Sequence, residues 1–77
     1  MTISTDGLRE TVAQIIGTDP GAIADDANLI VLGLGSLEMM RLVTRWRRQG
    51  IDADFTELAA EPTVAAWTAH LKAVAGA

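Results

Sequence analysis

The sequence predicts an all-α fold: a small four-helix bundle, three main helices plus a short third helix, with a long loop between helices one and two. Apolar residues recur at helical spacing in three segments, and the segments are bounded by capping residues, glycines and prolines. The chain has 77 residues, 49% of them hydrophobic and 21% charged, the composition of one small globular domain rather than a disordered tail. A domain of this size buries only about 60% of the surface its unfolded chain exposes, so nearly all its apolar residues are needed for the core. Little is left to wall a deep substrate pocket, which excludes most enzyme architectures.

Helix one follows from Leu8, Val12, Ile15 and Ile16 at i, i+4, i+7 and i+8, with Thr5 or Asp6 as its cap and Gly17 as its terminator. Thr18-Asp19-Pro20-Gly21 reads as a turn. From Gly21 to Gly35 no period is sustained, and Ile23, Leu29, Ile30, Leu32 and Leu34 are expected to pin this long loop to the core. Loops of such length without their own secondary structure are usually functional. Ser36 stands at an N-cap position, Glu38 in the first turn, and a helical pattern runs to Gln49 before Gly50 ends helix two. Met39, Met40, Leu42, Val43 and Trp46 share one arc of it, and Leu37, Glu38, Arg41, Arg45 and Arg48 the other, so Leu37 is an apolar residue on the charged face.

Asp54 followed by Glu57 reads as a capping box for the short third helix, through about Ala60, with Phe55, Leu58 and Ala59 as its apolar side chains. Pro62 suits the first turn of the last helix, where Val64, Trp67, Leu71 and Val74 form a stripe. Residues 1–77 are thus expected to be a single domain with its core at about 5–72, and 73–77 a frayed tail or linker remnant.

The absence of cysteine removes disulfides, thiolate metal sites and thiol nucleophiles, and one histidine cannot build an imidazole cluster. No apolar run approaches the length of a membrane span, and Met1 to Gly7 lacks the basic and apolar regions of a signal peptide, so the expectation is a cytoplasmic, monomeric chain with no membrane partner. Ten acidic against six basic residues argue against general affinity for nucleic acid. Arg41, Arg45, Arg47 and Arg48 nevertheless fall in one stretch, and Arg41, Arg45 and Arg48 share one face of the helix, either a solvated face complementing the helix dipole or a stripe for a partner with an acidic rim. Asp25, Asp26, Asp52 and Asp54 match no calcium-loop spacing, so capping and turn roles are preferred and no metal site is expected. Trp46 and Trp67 fall on apolar stripes and read as core. His70 lies beside that stripe and is given no role in function.

Ser36 is the first candidate for chemistry. A hydroxyl at a helix N-terminus, after the turn Leu32-Gly33-Leu34-Gly35, lies where backbone N–H groups and the helix dipole favour a phosphate. With no His or Lys within a few residues, a reaction at Ser36 needs a base from a partner enzyme. A serine in this position is also simply a leading N-cap residue.

Asn28-Leu29 followed by Leu32-Gly33-Leu34-Gly35-Ser36-Leu37 resembles the attachment motif of the phosphopantetheine-binding carrier domains, usually Leu-Gly-x-Asp-Ser-hydrophobic. Met39-Met40 with Arg45-Trp46-Arg47 resembles the aryl carrier proteins of siderophore and related non-ribosomal peptide synthesis. So does the closing segment of Phe55, Leu58-Ala59, Pro62-Thr63 and Trp67. The sequence departs from the motif at Gly35, where the family usually has Asp. Glycine there removes one polar contact available to a modifying enzyme and loosens the junction into helix two.

The resemblance implies a shuttle with no catalytic residue of its own. A phosphopantetheinyl transferase would attach 4′-phosphopantetheine from coenzyme A to Ser36, flanked by Gly35 and Leu37, with Mg²⁺ assistance. An aryl-acid adenylating enzyme would load the arm with salicylate, 2,3-dihydroxybenzoate or a similar acid as a thioester, and a condensation or cyclisation domain would remove it. Recognition is expected from Leu37, Met40, Phe55 and Ala59, flanked by Arg41 and Arg45. Three other readings use the same residues. An aminoacyl or polyketide carrier changes only the cargo, an unmodified protein-interaction bundle has no use for Ser36, and a nucleic-acid-binding domain would use the arginine stripe.

Overall fold

The structure, a computed structural model, describes residues 3–75. Among these the chain is all helical: α1 Thr5–Ile16, a 3-10 turn Pro20–Ala22, α2 Ser36–Arg48, α3 Phe55–Ala60 and α4 Val64–Ala75. The core joins Leu8 and Val12 of α1 to Met39, Leu42, Val43 and Trp46 of α2, Leu58 of α3, and Val64, Trp67 and Leu71 of α4. Trp46 and Trp67 meet edge to face, ring centroids 6.2 Å apart, and the Trp67 indole N–H donates to the Leu58 carbonyl at 2.8 Å. That bond ties the short α3 to α4, and both tryptophans are core residues as the apolar stripes implied.

The helix starts differ from the sequence reading in instructive ways. Ser4, not Thr5 or Asp6, caps α1: in extended backbone its hydroxyl accepts the Gly7 N–H at 3.0 Å. Thr5 and Asp6 are thereby released into the first turn, where Asp6 complements the dipole and pairs with Arg9. Gly17 ends α1 in the left-handed region at φ 85°, as expected of a terminator. Ile15 is exposed and only Ile16 turns partly inward, because at 100° per residue Ile16 falls between Val12 and Ala13, whereas Ile15 falls on the far side of Leu8 at the edge of the buried face. Pro62 precedes α4 rather than entering its first turn. Thr63 there accepts the Ala66 N–H on its hydroxyl at 3.1 Å, while the Pro62 carbonyl is used by the loop. α4 continues through Ala75, so residues 73–75 of the expected tail are helical, and 76 and 77 lie outside the described residues.

The long loop is pinned at several points. Leu29 N–H donates to the Pro62 carbonyl at 2.7 Å, Ala65 N–H to the Asp25 carbonyl at 3.0 Å, and the Arg9 guanidinium pairs with the Asp25 carboxylate. Ile23, Leu29 and Leu34 are buried, but Ile30 and Leu32 are exposed, against expectation. The side chain of Asn28 accepts the N–H groups of Ile30 and Val31 at 2.9 and 3.2 Å, and this turn swings the Ile30-Val31-Leu32 tip outward. Gly33, at φ 115°, then lets the backbone reverse so that Leu34 returns to the core, a conformation strained for any side chain.

The capping box of α3 is only half formed. Asp54 accepts the Thr56 and Glu57 N–H groups, but Glu57 does not reach back. His70 of α4 replaces it: its Nε2 accepts the Asp54 N–H at 3.0 Å, and its Nδ1–H donates to the Glu57 carboxylate at 2.8 Å. An imidazole that accepts at Nε2 carries its proton on Nδ1, so the two bonds together select one neutral tautomer. His70→Ala is expected to lower stability by about 1 kcal/mol. The Asp54 amide should then exchange faster with solvent deuterium while the α1 amides keep their protection. An unchanged Asp54 exchange rate would show that the tether does not hold α3.

No helix among the described residues is long and apolar enough to cross a membrane.

Candidate functional site

Ser36 is exposed and is the first residue of α2, not its cap. The cap is Gly35, in extended backbone at φ −84° and ψ 167°, and it offers no side chain to the helix. The first backbone bond of α2 is Met39 N–H to the Gly35 carbonyl at 3.1 Å. The N–H groups of Ser36, Leu37 and Glu38 therefore have no acceptor among the described residues. A serine serving as N-cap would have turned its hydroxyl back onto these amides; one position further on, the hydroxyl is left free.

Those features suit a phosphodiester on Ser36 Oγ. The hydroxyl is accessible, unfilled amides and the positive end of a 13-residue helix face the same region, and Gly35 adds no side chain on the approach. One charge opposes it. The Glu38 carboxylate folds back along the helix start, with Oε2 only 2.6 Å from where a Cβ on Gly35 would stand. Sequence reasoning placed Glu38 in the first turn but had no means of showing that its carboxylate fills the space Gly35 leaves.

The residues expected to meet partners fall into two groups. Leu37 is 60% exposed at the start of α2, and Met40 is 58% exposed one turn later. Met40 thus leaves the arc it was expected to share with Met39, Leu42, Val43 and Trp46, because the core covers a narrower sector than the apolar sequence pattern does. A shallow trough along α2 brings Met40, Arg41 and Arg45 together with Thr44, Arg48 and Gln49. Phe55 and Ala59 do not line it. They sit on α3, half-buried against the core, and α3 packs against α2 and α4. The exposed tip of the loop, with Val31 at 80% exposure, adds apolar surface in the segment leading to Ser36. An asparagine two residues before Ile30 was the available signal for it, and the run of apolar residues masked that signal.

Arg47 lies off the face that Arg41, Arg45 and Arg48 share, and its Nε donates to the Ala53 carbonyl at 3.0 Å. Both His70 nitrogens are engaged on α3, so the imidazole is committed there rather than free as a base.

The phosphopantetheine attachment site family matches residues 6–71, which takes in all four helices or nearly so. Among curated proteins the chain is 51% identical over 65 residues to the phenyloxazoline synthase MbtB of Mycobacterium sp. (strain MCS), covering 84% of this chain and 6% of that protein. It is 46% identical over 69 residues to MbtB of Mycobacterium tuberculosis (strain ATCC 25618 / H37Rv), covering 90% of this chain and 5% of the other. With enterobactin synthase component B of Escherichia coli (strain K12) it shares 43% identity over 60 residues, 78% of this chain and 21% of that protein. The chain thus spans a small part of each relative. The helix order, the serine opening α2 and the match across most of its length agree: this chain belongs to the phosphopantetheine-binding carrier family, whose members bear 4′-phosphopantetheine covalently.

Proposed function

We propose that this domain is an aryl carrier of non-ribosomal peptide assembly, acting in the cytoplasm, with its arm on Ser36 Oγ. The observation that carries the reading is the exposed hydroxyl of Ser36 as the first residue of a helix whose leading amides are unfilled. In the attachment step Ser36 Oγ forms a bond to the pantetheine-bearing phosphorus of coenzyme A. The pyrophosphate P–O bond breaks, adenosine 3′,5′-bisphosphate leaves, and the serine proton passes to a base on the transferase, since His70 is engaged elsewhere. When bound, the arm supplies a thiol that holds an acyl group as a thioester.

The cargo and the partners follow from the relatives. A phenyloxazoline is an aryl acyl group joined to a cyclised β-hydroxy amino acid, so a synthase so named needs an aryl acid held ready and a cyclising domain to receive it. By likeness to that protein, this domain takes an aryl acid from an adenylating enzyme and yields it to a condensation or cyclisation domain. Leu37, Met40, Arg41 and Arg45 on α2, with Phe55 and Ala59 on α3, form the recognition surface; Leu37 and Met40 are large apolar side chains in water with no part in the core.

Incubation with coenzyme A, Mg²⁺ and a broad-specificity phosphopantetheinyl transferase is expected to add one phosphopantetheinyl group by intact mass. Salicylate or 2,3-dihydroxybenzoate should then load through an aryl-acid adenylating enzyme in preference to amino acids or malonyl groups. Loading of an amino acid instead would keep the carrier and change its cargo. Met40→Ala or Phe55→Ala is expected to slow acyl transfer to a condensation domain by about tenfold, as for a truncated interface anchor, with helix content and arm attachment largely kept. Unchanged transfer rates would remove these side chains from the recognition surface.

A further inference from the structure

We infer that His70 is a proton-operated latch on α3: its neutral imidazole holds the start of that helix, and protonation frees the Asp54 end and loosens the presentation of Phe55. The latch stands on the geometry alone, and its bearing on acyl transfer rests on the recognition reading of Phe55 and Ala59 given above.

A helix of six residues is too short to hold itself and depends on its tertiary contacts. Among the described residues, three side-chain hydrogen bonds tie α3 and its cap to α4, and two of them end on one imidazole. The third, from the Trp67 indole to the Leu58 carbonyl, holds the later part of the helix. The start is held by His70, through the Asp54 N–H on Nε2 at 3.0 Å and the Glu57 carboxylate on Nδ1 at 2.8 Å. The His70 side chain is 13% exposed, so the ring is packed yet within reach of solvent protons.

The two bonds respond to a proton in opposite ways. In the neutral ring Nε2 offers a lone pair and Nδ1 an N–H; a proton taken from solvent occupies that lone pair and makes both nitrogens donors. The bond to Glu57 then gains a charge, while Nε2–H and the Asp54 N–H confront each other donor to donor and must part. Histidine is the side chain whose ordinary titration falls between about pH 5 and 8, so the change needs no extreme condition. It is also confined in space. Ala53 stays fixed by its burial and by Arg47 on its carbonyl, and Leu58 stays under Trp67, which leaves Asp54 and the half-buried Phe55 as the part set free.

Among the described residues, Glu57 is the charged group within ion-pair distance of the ring. Ahead of α3, the Asp54 carboxylate is engaged by the Thr56 and Glu57 N–H groups and Asp52 is exposed; Glu61 lies at the other end of the helix. On α4 itself Lys72 is exposed. On α1, which also packs against α4, Arg9 pairs with Asp6 and Asp25, and Glu10 is exposed. The contact that breaks is with a backbone N–H, which does not titrate, so the proton that opens the latch is the one on His70.

His70→Gln separates the proton from the bonds, since a glutamine amide carries one acceptor and one donor and takes up no proton in this range. The test compares the parent, His70→Gln and His70→Ala between about pH 8 and 5.5, above the ordinary carboxylate titration near about 4. The His70 ring and the Asp54 amide are followed by NMR, together with Asp54 amide exchange expressed as protection relative to an unstructured chain. In the parent the Asp54 amide is expected to shift with the same midpoint as the ring, and its protection to fall about fivefold or more on protonation, the size of one hydrogen bond. His70→Gln is expected to keep its protection across the range, and His70→Ala to lack it at both ends. Acyl transfer to a condensation domain is measured as the ratio of parent to His70→Gln, which cancels the partner's own pH dependence; the ratio is expected to fall about threefold from pH 8 to 5.5. A parent Asp54 amide that does not follow the ring, or one that titrates unchanged in His70→Gln, would overturn the latch. A flat transfer ratio, where Phe55→Ala does slow transfer, would overturn its bearing on recognition. Transfer unchanged by Phe55→Ala would instead remove the recognition reading, and the Asp54 amide then decides the latch alone.

Discussion

Ser36→Ala is expected to abolish the gain of a phosphopantetheinyl group completely while leaving the fold intact. The Ser36 side chain is exposed, makes no hydrogen bond within the described residues and does not cap α2. Alanine is the best helix former, so the replacement keeps or slightly raises helix stability. No stability cost then stands between the substitution and its chemical meaning. Attachment removes a proton from an oxygen and joins that oxygen to phosphorus, and alanine has no such atom, so the loss is total rather than partial. The experiment pairs intact mass after transferase treatment with circular dichroism of the same samples. Other hydroxyls lie elsewhere: Ser4 caps α1, Thr44 is in the middle of α2 and Thr56 is on α3. A mass gain surviving in Ser36→Ala would move the attachment to one of these and undo the present assignment.

Trp67→Ala is expected to remove most of the stability of the domain. Trp67 is 1% exposed at the middle of the core, against the edge of Trp46, with its indole N–H on the Leu58 carbonyl. Truncation of a buried tryptophan costs about 3–5 kcal/mol through lost burial and the cavity that remains. Domains of this size rarely hold more than about 3–5 kcal/mol in total, so the variant should be largely unfolded at room temperature. Trp67→Phe divides the two contributions. It keeps most of the ring but leaves the Leu58 carbonyl without its donor, a cost of about 1–3 kcal/mol. Urea unfolding followed by circular dichroism at helix wavelengths gives both values without relying on tryptophan fluorescence. A Trp67→Ala domain as stable as the parent would mean that the α3 and α4 packing described here is not what holds the bundle together.

The two predictions draw on different layers of the molecule. Ser36 acts through a free atom on the surface, and Trp67 through the absence of free space around it. Both positions were legible in the sequence, for different reasons. A tryptophan at i+3 from Val64 and four residues before Leu71 has one apolar face to join. A serine after Leu-Gly-Leu-Gly and before a helical run lies at a loop-to-helix junction whatever its cap role.

The sequence by itself determined the helix order, the ends at Gly17 and Gly50, the Asp54 cap, the outward Leu37 and the place of Ser36 at the head of α2. Each depends on side chains within about one helical turn, or on a period of 3.6 that repeats along one segment, so local physics suffices. What only the tertiary structure decided involves residues distant in sequence or a choice between near-equivalent neighbours. The core selected Met39 over Met40 and Ile16 over Ile15, because the width of a buried face is set by the helices that cover it. His70, 16 positions from Asp54, took the bond that the capping box had reserved for Glu57. Asn28 drew Ile30 and Val31 outward by hydrogen bonds that hydrophobicity alone does not register. The placement of the Glu38 carboxylate over Gly35 combined both kinds of information: glycine supplied the space, and the fold of the loop into α2 determined what entered it.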